Sequence, residues 1–273
     1  MTNSDNSEFF SINCNGRLMD LSQPKLMGIL NLTPDSFSDG GKFINEKNAL
    51  KQAENLLKNG ATIIDIGAQS TRPNSEYLKA DKEIRRIGNI ISLIKKEFPE
   101  SLISLDTFYS DVVQFGYNEG IDLVNDISAG QFDPELLNTV AKIGLPYILM
   151  HINPSYGSMH QKIQYDDIIL SINKFFFEKI SALSKIGIKD IILDPGFGFG
   201  KTVDDQYKMI KNFEYFGFGK FPVLAGISKK SFIYKPLGKH ANEVEKETLD
   251  LHLKLIGKGA KIIRLHDPET LQL

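Results

Sequence analysis

Eight short, apolar, β-rich runs recur along the chain, with stretches of helical periodicity between them, and this alternation is the strongest constraint on the fold. The runs are 25–30 (KLMGIL), 62–66 (TIIDI), 102–105 (LISL), 121–124 (IDLV), 146–150 (PYILM), 190–193 (DIIL), 221–225 (FPVLA) and 261–265 (KIIRL). Between them, 48–58 places Leu50, Ala53 and Leu57 on one helical face, and 81–98 reads as a further amphipathic helix. Gly60, Gly120, Gly144 and Gly187 each stand just before the next run, where a residue without Cβ ends a helix in the left-handed conformation.

Eight strands with helices between them make either a closed barrel or a doubly wound sheet. The polar residues decide. Asn31, Asp106, Asn125, His151, Asp194, Lys230 and His266 each follow the C-terminal end of a different strand. In a (β/α)8 TIM barrel those ends form one ring around one mouth, whereas a doubly wound sheet collects its ligands at a single switch point. The expectation is therefore an α/β chain with a single barrel domain over 25–273. Residues 1–24 form an N-terminal extension, a short hairpin or cap across the barrel bottom. The sequence ends at Leu273, soon after the last strand, so the eighth helix is truncated or absent.

Composition narrows the function. A formal net charge of −2 offers no basic field for nucleic acid or an anionic membrane, so any anionic substrate must be held by local charges. The one cysteine, Cys14, can form neither an internal disulfide nor a thiolate cluster, which suits a reducing cytosol. The first residues lack the pattern of a signal peptide, and no apolar run reaches the roughly 18 residues of a membrane span. The reading is a cytoplasmic protein. Its five histidines include no metal-ligand spacing, so a structural zinc is not expected.

Three segments carry candidate chemistry. The stretch NLTPDSFSDGG after the first strand is either a capped turn or a lid carrying Asp35, Ser36, Phe37 and Asp39 toward a cation. After the second strand, Thr71, Arg72 and Pro73 offer a hydroxyl and a guanidinium fork to a carboxylate or phosphate; alone, such a loop is more often a solvated turn. The run Gly196–Lys201 resembles a phosphate loop, but Pro195 stands where that motif needs glycine, and the dinucleotide fingerprint fails at Lys201. Its glycines instead let backbone pass close to a flat ligand, with Phe199 free to pack on it. His151 reads as a satisfied core histidine rather than a ligand.

NLTPDSFSDGG, STRP, LDPGFGFGK, GISKKSF and RLHD, in this order at successive strand ends, resemble the signature segments of the dihydropteroate synthase family over nearly the whole chain. The resemblance implies a transferase of folate biosynthesis, a target of sulfonamides, in which p-aminobenzoate displaces pyrophosphate from (7,8-dihydropterin-6-yl)methyl diphosphate. It implies Mg2+ on the pyrophosphate, with Asn31 as the protein ligand. Asp106, Asn125 and Asp194 would hold the pterin, a 2-aminopyrimidinone edge being matched to a carboxylate. Lys230 would donate to the ring or balance Asp194. Arg264 and His266, two apart on one strand face, would stabilise the leaving pyrophosphate. Asp106, Lys230, Arg264 and His266 are thus the expected catalytic residues. Thr71, Arg72, Pro73, Phe199, Lys230 and Ser231 are the expected p-aminobenzoate contacts. The pattern departs at Gln69, where the family has glutamate, and at Lys229, where it has arginine. Family members are homodimers through helices near the C-terminus, which the short end of this chain leaves open. A pterin-dependent methyltransferase and a catalytically silent pterin-binding paralogue are the alternatives.

Overall fold

The computed structural model describes residues 10–32, 42–69, 78–152 and 161–271. An antiparallel hairpin, β1 (Ser11–Cys14) and β2 (Arg17–Asp20), leads into eight parallel strands. These are β3 (Lys25–Asn31), β4 (Ala61–Gly67), β5 (Leu102–Asp106), β6 (Leu123–Asp126), β7 (Tyr147–Met150), β8 (Ile191–Asp194), β9 (Val223–Ala225) and β10 (Ala260–Leu265). They run in chain order around a closed barrel in which β10 pairs with β3.

The helices follow the strands in the same alternation: α1 (Lys42–Lys58), α2 (Ala80–Ile87), α3 (Ile90–Glu97), α4 (Ser110–Glu119), α5 (Leu136–Ile143), α6 (Ile168–Lys185), α7 (Val203–Lys211), α8 (Ser231–Tyr234) and α9 (Glu245–Gly257). Local chemistry sets their ends. Asp167 caps α6 by accepting from the backbone N–H groups of Ile169 and Leu170. Thr202 and Asp205 close a reciprocal capping box on α7. At α4 a Cβ on Gly116 would lie 2.5 Å from Leu105, so only glycine lets this helix sit so closely on β5.

Strand alternation sorts side chains into two cores. One face of each strand packs against the helices, through residues such as Ile64, Ile66, Leu105, Leu149, Leu193 and Leu265. The other face fills the barrel. Its lower part is wholly apolar: Met27, Ile63, Leu102, Leu123, Ile148, Ile192, Leu224 and Ile262, one from each barrel strand, form a single cluster. The hairpin covers that end with Ile12, Cys14, Met19 and Leu21. Each such side chain contributes roughly 1.5–3 kcal/mol on burial, so this end of the barrel is a stabilising plug.

The expected barrel is present, and Gly60, Gly120, Gly144 and Gly187 all have positive φ. Most strand ends shift by one or two residues, the first helix starts earlier, at Lys42, and two differences have a clear local cause. The run expected over 121–124 pairs instead as Leu123–Asp126, because the Asp122 carboxylate accepts from the Ile103 N–H at 2.7 Å and from the Lys95 ammonium at 2.5 Å. Asp122 thereby belongs to the turn into β6, and the strand reaches two residues further toward the mouth. The helix expected over 81–98 is broken at Gly88, whose φ of 52° ends α2 before α3 begins. After β10 a single 3-10 turn, Pro268–Thr270, packs beside the barrel. No helix among the described residues is long and apolar enough to cross a membrane.

Candidate active site

Two residues above the apolar plug, the same inward faces turn polar. Ile63 is followed by Asp65, Leu123 by Asn125, Ile192 by Asp194 and Ile262 by Arg264. Asp65 is fully buried and organises this tier. Its Oδ2 accepts from Arg264 Nε at 2.6 Å, and both its oxygens lie within 3.3 Å of the Asn125 amide nitrogen. A second nitrogen of the guanidinium donates to Asp106 Oδ2 at 2.8 Å. A carboxylate inside a barrel is costly unless partnered, and Asp65 has two partners, from β10 and β6, each two strands away on either side. Arg264 keeps three N–H donors for a ligand, since two of its five are engaged here.

The remaining groups sit around this tier. Asp194 ends β8; its Oδ1 accepts from the Gly196 N–H at 2.7 Å, leaving Oδ2 to a ligand. Burial pushes its carboxyl up, against the pull of that N–H, Lys230 and Arg264. Burial also raises Asp106, to about 7, with Asp65 and Asp126 adding to the effect and Arg264 and Lys230 opposing it. Lys230 is pushed down to about 8, first by burial and then by Arg264, while Asp194 and Asp106 hold it up. Its ammonium lies 4.5 Å from the centre of the Phe199 ring, a cation–π contact. Charges of both signs are therefore concentrated in one partly desolvated mouth, the arrangement that perturbs acids and bases toward neutrality.

The glycine-rich segment is pinned from below by Lys201. This buried ammonium donates to the carbonyls of Gly196 at 2.7 Å, Phe199 at 3.1 Å and His151 at 3.4 Å. A Cβ on Gly196 would fall 2.1 Å from the His151 carbonyl oxygen, so the close approach requires glycine. The loop thus holds Phe199 against Lys230. No phosphate-loop geometry is involved.

His266, just beyond β10, is half-buried, and its Nδ1 lies 3.1 Å from Ser228 Oγ. Asn31 ends β3, also half-buried; the Cβ position of Gly67 is 3.8 Å from its Oδ1 and 3.7 Å from Asp106 Oδ2. Ser231 is exposed at the first residue of α8. His151 is buried with its ring edge-on to Phe175, and burial holds its pKa well below the usual value. It is a core histidine, but not the satisfied one expected, because among the described residues its buried Nδ1 has no partner.

The barrel thus brings Asn31, Asp106, Asn125, Asp194, Phe199, Lys230, Arg264 and His266 to one end. Asp35, Ser36, Phe37, Asp39, Thr71, Arg72 and Pro73 lie outside the described residues. Arg264 also has a role that the sequence pattern does not report: it ties Asp65 to Asp106. The two departures also have local partners. Gln69 is buried and pairs twice with the backbone of Leu78, donating to its carbonyl at 3.1 Å and accepting from its N–H at 3.0 Å. A glutamate carboxylate could make only the second bond. Lys229, at φ 56°, forms an ion pair with Asp267 at 2.7 Å.

Asp65 and Lys201 are the members that sequence reasoning missed. Asp65 had one visible signal, an acid inside the otherwise apolar run ATIIDIG.

Comparison with known proteins agrees with this geometry. Residues 27–266 match the family of pterin binding enzymes. A dihydropteroate synthase of Haemophilus influenzae is 39% identical over 255 residues, covering 93% of this chain and 92% of the relative. The Xanthomonas albilineans dihydropteroate synthase with 4-aminobenzoic acid superposes with a TM-score of 0.88 at 32% identity, covering 95% of this chain and 93% of that one. The Yersinia pestis dihydropteroate synthase in a sulfonamide drug complex also reaches 0.88, at 35% identity, covering 96% and 95%.

Proposed function

Because the chain belongs to the pterin-binding enzyme family, as a dihydropteroate synthase, we propose a division of labour among the residues at its barrel mouth. The reaction joins (7,8-dihydropterin-6-yl)methyl diphosphate to p-aminobenzoate, giving 7,8-dihydropteroate and pyrophosphate in folate biosynthesis. The methyltransferase alternative is set aside on the same relatives.

Asp194 accepts from the 2-amino and ring N–H donors of the pterin through its free oxygen, and Asn125 adds donor and acceptor bonds to the same ring. Lys230 donates to a ring heteroatom from its seat against Phe199. The bond between the exocyclic methylene and the pyrophosphate oxygen then breaks, its electron pair leaving with pyrophosphate. The dihydropterin spreads the positive charge, and the Asp106 carboxylate faces it across the site. The amine lone pair closes the new C–N bond and the nitrogen loses its proton. The protein's task is to stabilise two separating charges with groups already in place. Arg264, held by Asp65 and Asp106, turns its remaining donors to the pyrophosphate, and His266 adds one more. Thr71, Arg72, Pro73, Phe199 and Ser231 surround p-aminobenzoate in this reading, beneath a lid carrying Asp35, Ser36, Phe37 and Asp39.

Mg2+ fits this donor set. Such an ion is usually held by one or two protein oxygens together with substrate phosphates and water, and the Asn31 side chain has no partner among the described residues. When bound, the ion neutralises charge on the leaving pyrophosphate. A cytosolic setting suits the single buried thiol, Cys14.

The observation that supports this reading is that Asp106, Asn125, Asp194, Lys230 and Arg264 converge on one barrel end, where Asp65 and Arg264 tie Asn125 and Asp106 into one hydrogen-bonded network and the charges of Asp194 and Lys230 act on each other and on Arg264. The test is a pyrophosphate-release assay run with and without p-aminobenzoate, on wild type and Arg264→Ala. Multiple-turnover release that needs the amine and drops by a factor of about 10² or more in the variant is expected. Pterin binding without release contradicts the reading in favour of a silent paralogue.

A further inference from the structure

We propose that Ser228 is a positioning residue that fixes the His266 ring as the tautomer with hydrogen on Nε2, so that a neutral imidazole offers an N–H to the leaving pyrophosphate. The proposal rests on the assignment of His266 to that group. Ser228 lies between β9 and α8, and His266 directly follows β10, so the two meet across adjacent strand ends.

Two contacts define the arrangement. The backbone N–H of His266 donates to Ser228 Oγ at 3.3 Å, and the same Oγ lies 3.1 Å from Nδ1 of the ring. An amide N–H can only donate, so the first contact occupies a lone pair of Oγ and leaves the hydroxyl hydrogen to be placed. Among the described residues Nδ1 is its one acceptor. If Nδ1 carried the ring hydrogen, it would donate to Oγ and leave the hydroxyl without an acceptor. With the Ser228 hydroxyl donating to Nδ1, the hydroxyl, Nδ1 and the His266 backbone N–H are all paired. The hydrogen then sits on Nε2, the ring nitrogen that has no partner among the described residues.

Protonation does not override this choice. Burial lowers the ring's pKa to about 4, helped by Arg264, Lys229 and Lys230 and opposed by Asp267. The ring is neutral near pH 7, so the tautomer alone decides whether it meets a phosphate oxygen as donor or as acceptor. Only the donor form stabilises the anion.

The competing arrangement is also visible. Behind Ser228 lies a polar cavity of about 60 Å³, lined by Thr248, His252, Thr270 and others. Both His252 nitrogens are buried there without a partner among the described residues. A hydroxyl turned toward water in this cavity would release Nδ1 to carry the hydrogen.

Nitrogen-15 NMR of the histidine-labelled full chain separates the two, with His266→Gln identifying the resonances. The expected result is a protonated Nε2 and a bare Nδ1 on His266 in the wild type. Ser228→Ala should give a mixture of tautomers and weaken the binding of inorganic pyrophosphate about five- to tenfold, the loss of one oriented hydrogen bond. Ser228→Thr should restore both. A wild type protonated on Nδ1, or an unchanged tautomer in Ser228→Ala, overturns the proposal. Unaltered pyrophosphate affinity in His266→Gln would instead remove the anion-binding role of His266, a failure distinguishable because the tautomer is read without ligand.

Discussion

At the N-terminal end of the barrel Ile63, Leu123, Ile192 and Ile262 share one apolar cluster; two residues further along the same strands stand Asp65, Asn125, Asp194 and Arg264. Backbone, register and inward direction are common to both tiers. They differ in what burial costs. The lower tier gains from leaving water, whereas the upper tier is desolvated at a cost offset only by mutual bonds, as between Asp65 and Arg264 at 2.6 Å. One strand thus supplies stability below and chemistry above, which is why a barrel mouth can change its groups without rebuilding its floor.

The sharpest attempt to break this comparison uses neighbours on β4. Asp65→Ala leaves the Arg264 guanidinium and the Asn125 amide short of their shared partner. It should lower kcat/KM by about 10³-fold and cost roughly 3 kcal/mol of stability. Ile63→Ala should cost a similar 2–5 kcal/mol yet leave kcat/KM of the folded fraction within about twofold. Chemical denaturation and steady-state kinetics on both variants check this. Equal loss of activity in the two would erase the distinction between tiers.

Arg264→Lys keeps the charge but replaces a planar fork with a point donor, which cannot bridge Asp65 and Asp106 as the guanidinium does. A fall of roughly 10- to 100-fold in kcat/KM is expected, and kinetics within twofold of wild type would show that the bridge is dispensable.

The upper tier should also carry the pH dependence. Asp106, raised to about 7, is ionised above that pH; Lys230, lowered to about 8, is protonated below it. If both charged forms are needed, kcat/KM for the pterin diphosphate rises through about 7 and falls through about 8. Lys230→Arg should move the alkaline limb upward, because a guanidinium stays charged. The Ile63→Ala profile should keep the wild-type shape, and a shifted profile there would tie the floor to the chemistry.

The smallest effect belongs to the hairpin. Met19→Ala removes one side chain from the plug and should cost about 2 kcal/mol with no change in KM for either substrate. A change in KM would mean that the closed end communicates with the mouth.

Much of this was legible in the sequence because short β-rich apolar runs report strands and strand-end polar residues report the mouth. Asp106, Asn125 and Asp194 were found in that way, and Arg264 by its place two residues before His266 on one strand face. What sequence pattern does not report is which polar groups meet. Arg264 and Asp65 stand 199 residues apart, and only barrel closure brings β10 and β4 to either side of β3. Asp65 itself was absorbed into an apolar run, and Lys201 was weighed only as part of a failed nucleotide motif. Gln69 looked like a lost charge, yet its amide supplies a donor to Leu78 that the family's carboxylate lacks. The boundary at Asp122 was missed because a strand-like side-chain pattern was outweighed by an ion pair with Lys95 from another element.

The central claim is that the pterin is gripped by the upper tier of the barrel alone. Calorimetric titration of a dihydropterin into two β8 variants tests it directly. Asp194→Ala should weaken binding about 100-fold or more, the loss of a charge-assisted pair of hydrogen bonds, while Ile192→Ala binds as the wild type does. Near-normal affinity in Asp194→Ala, or equal weakening in both, would contradict it.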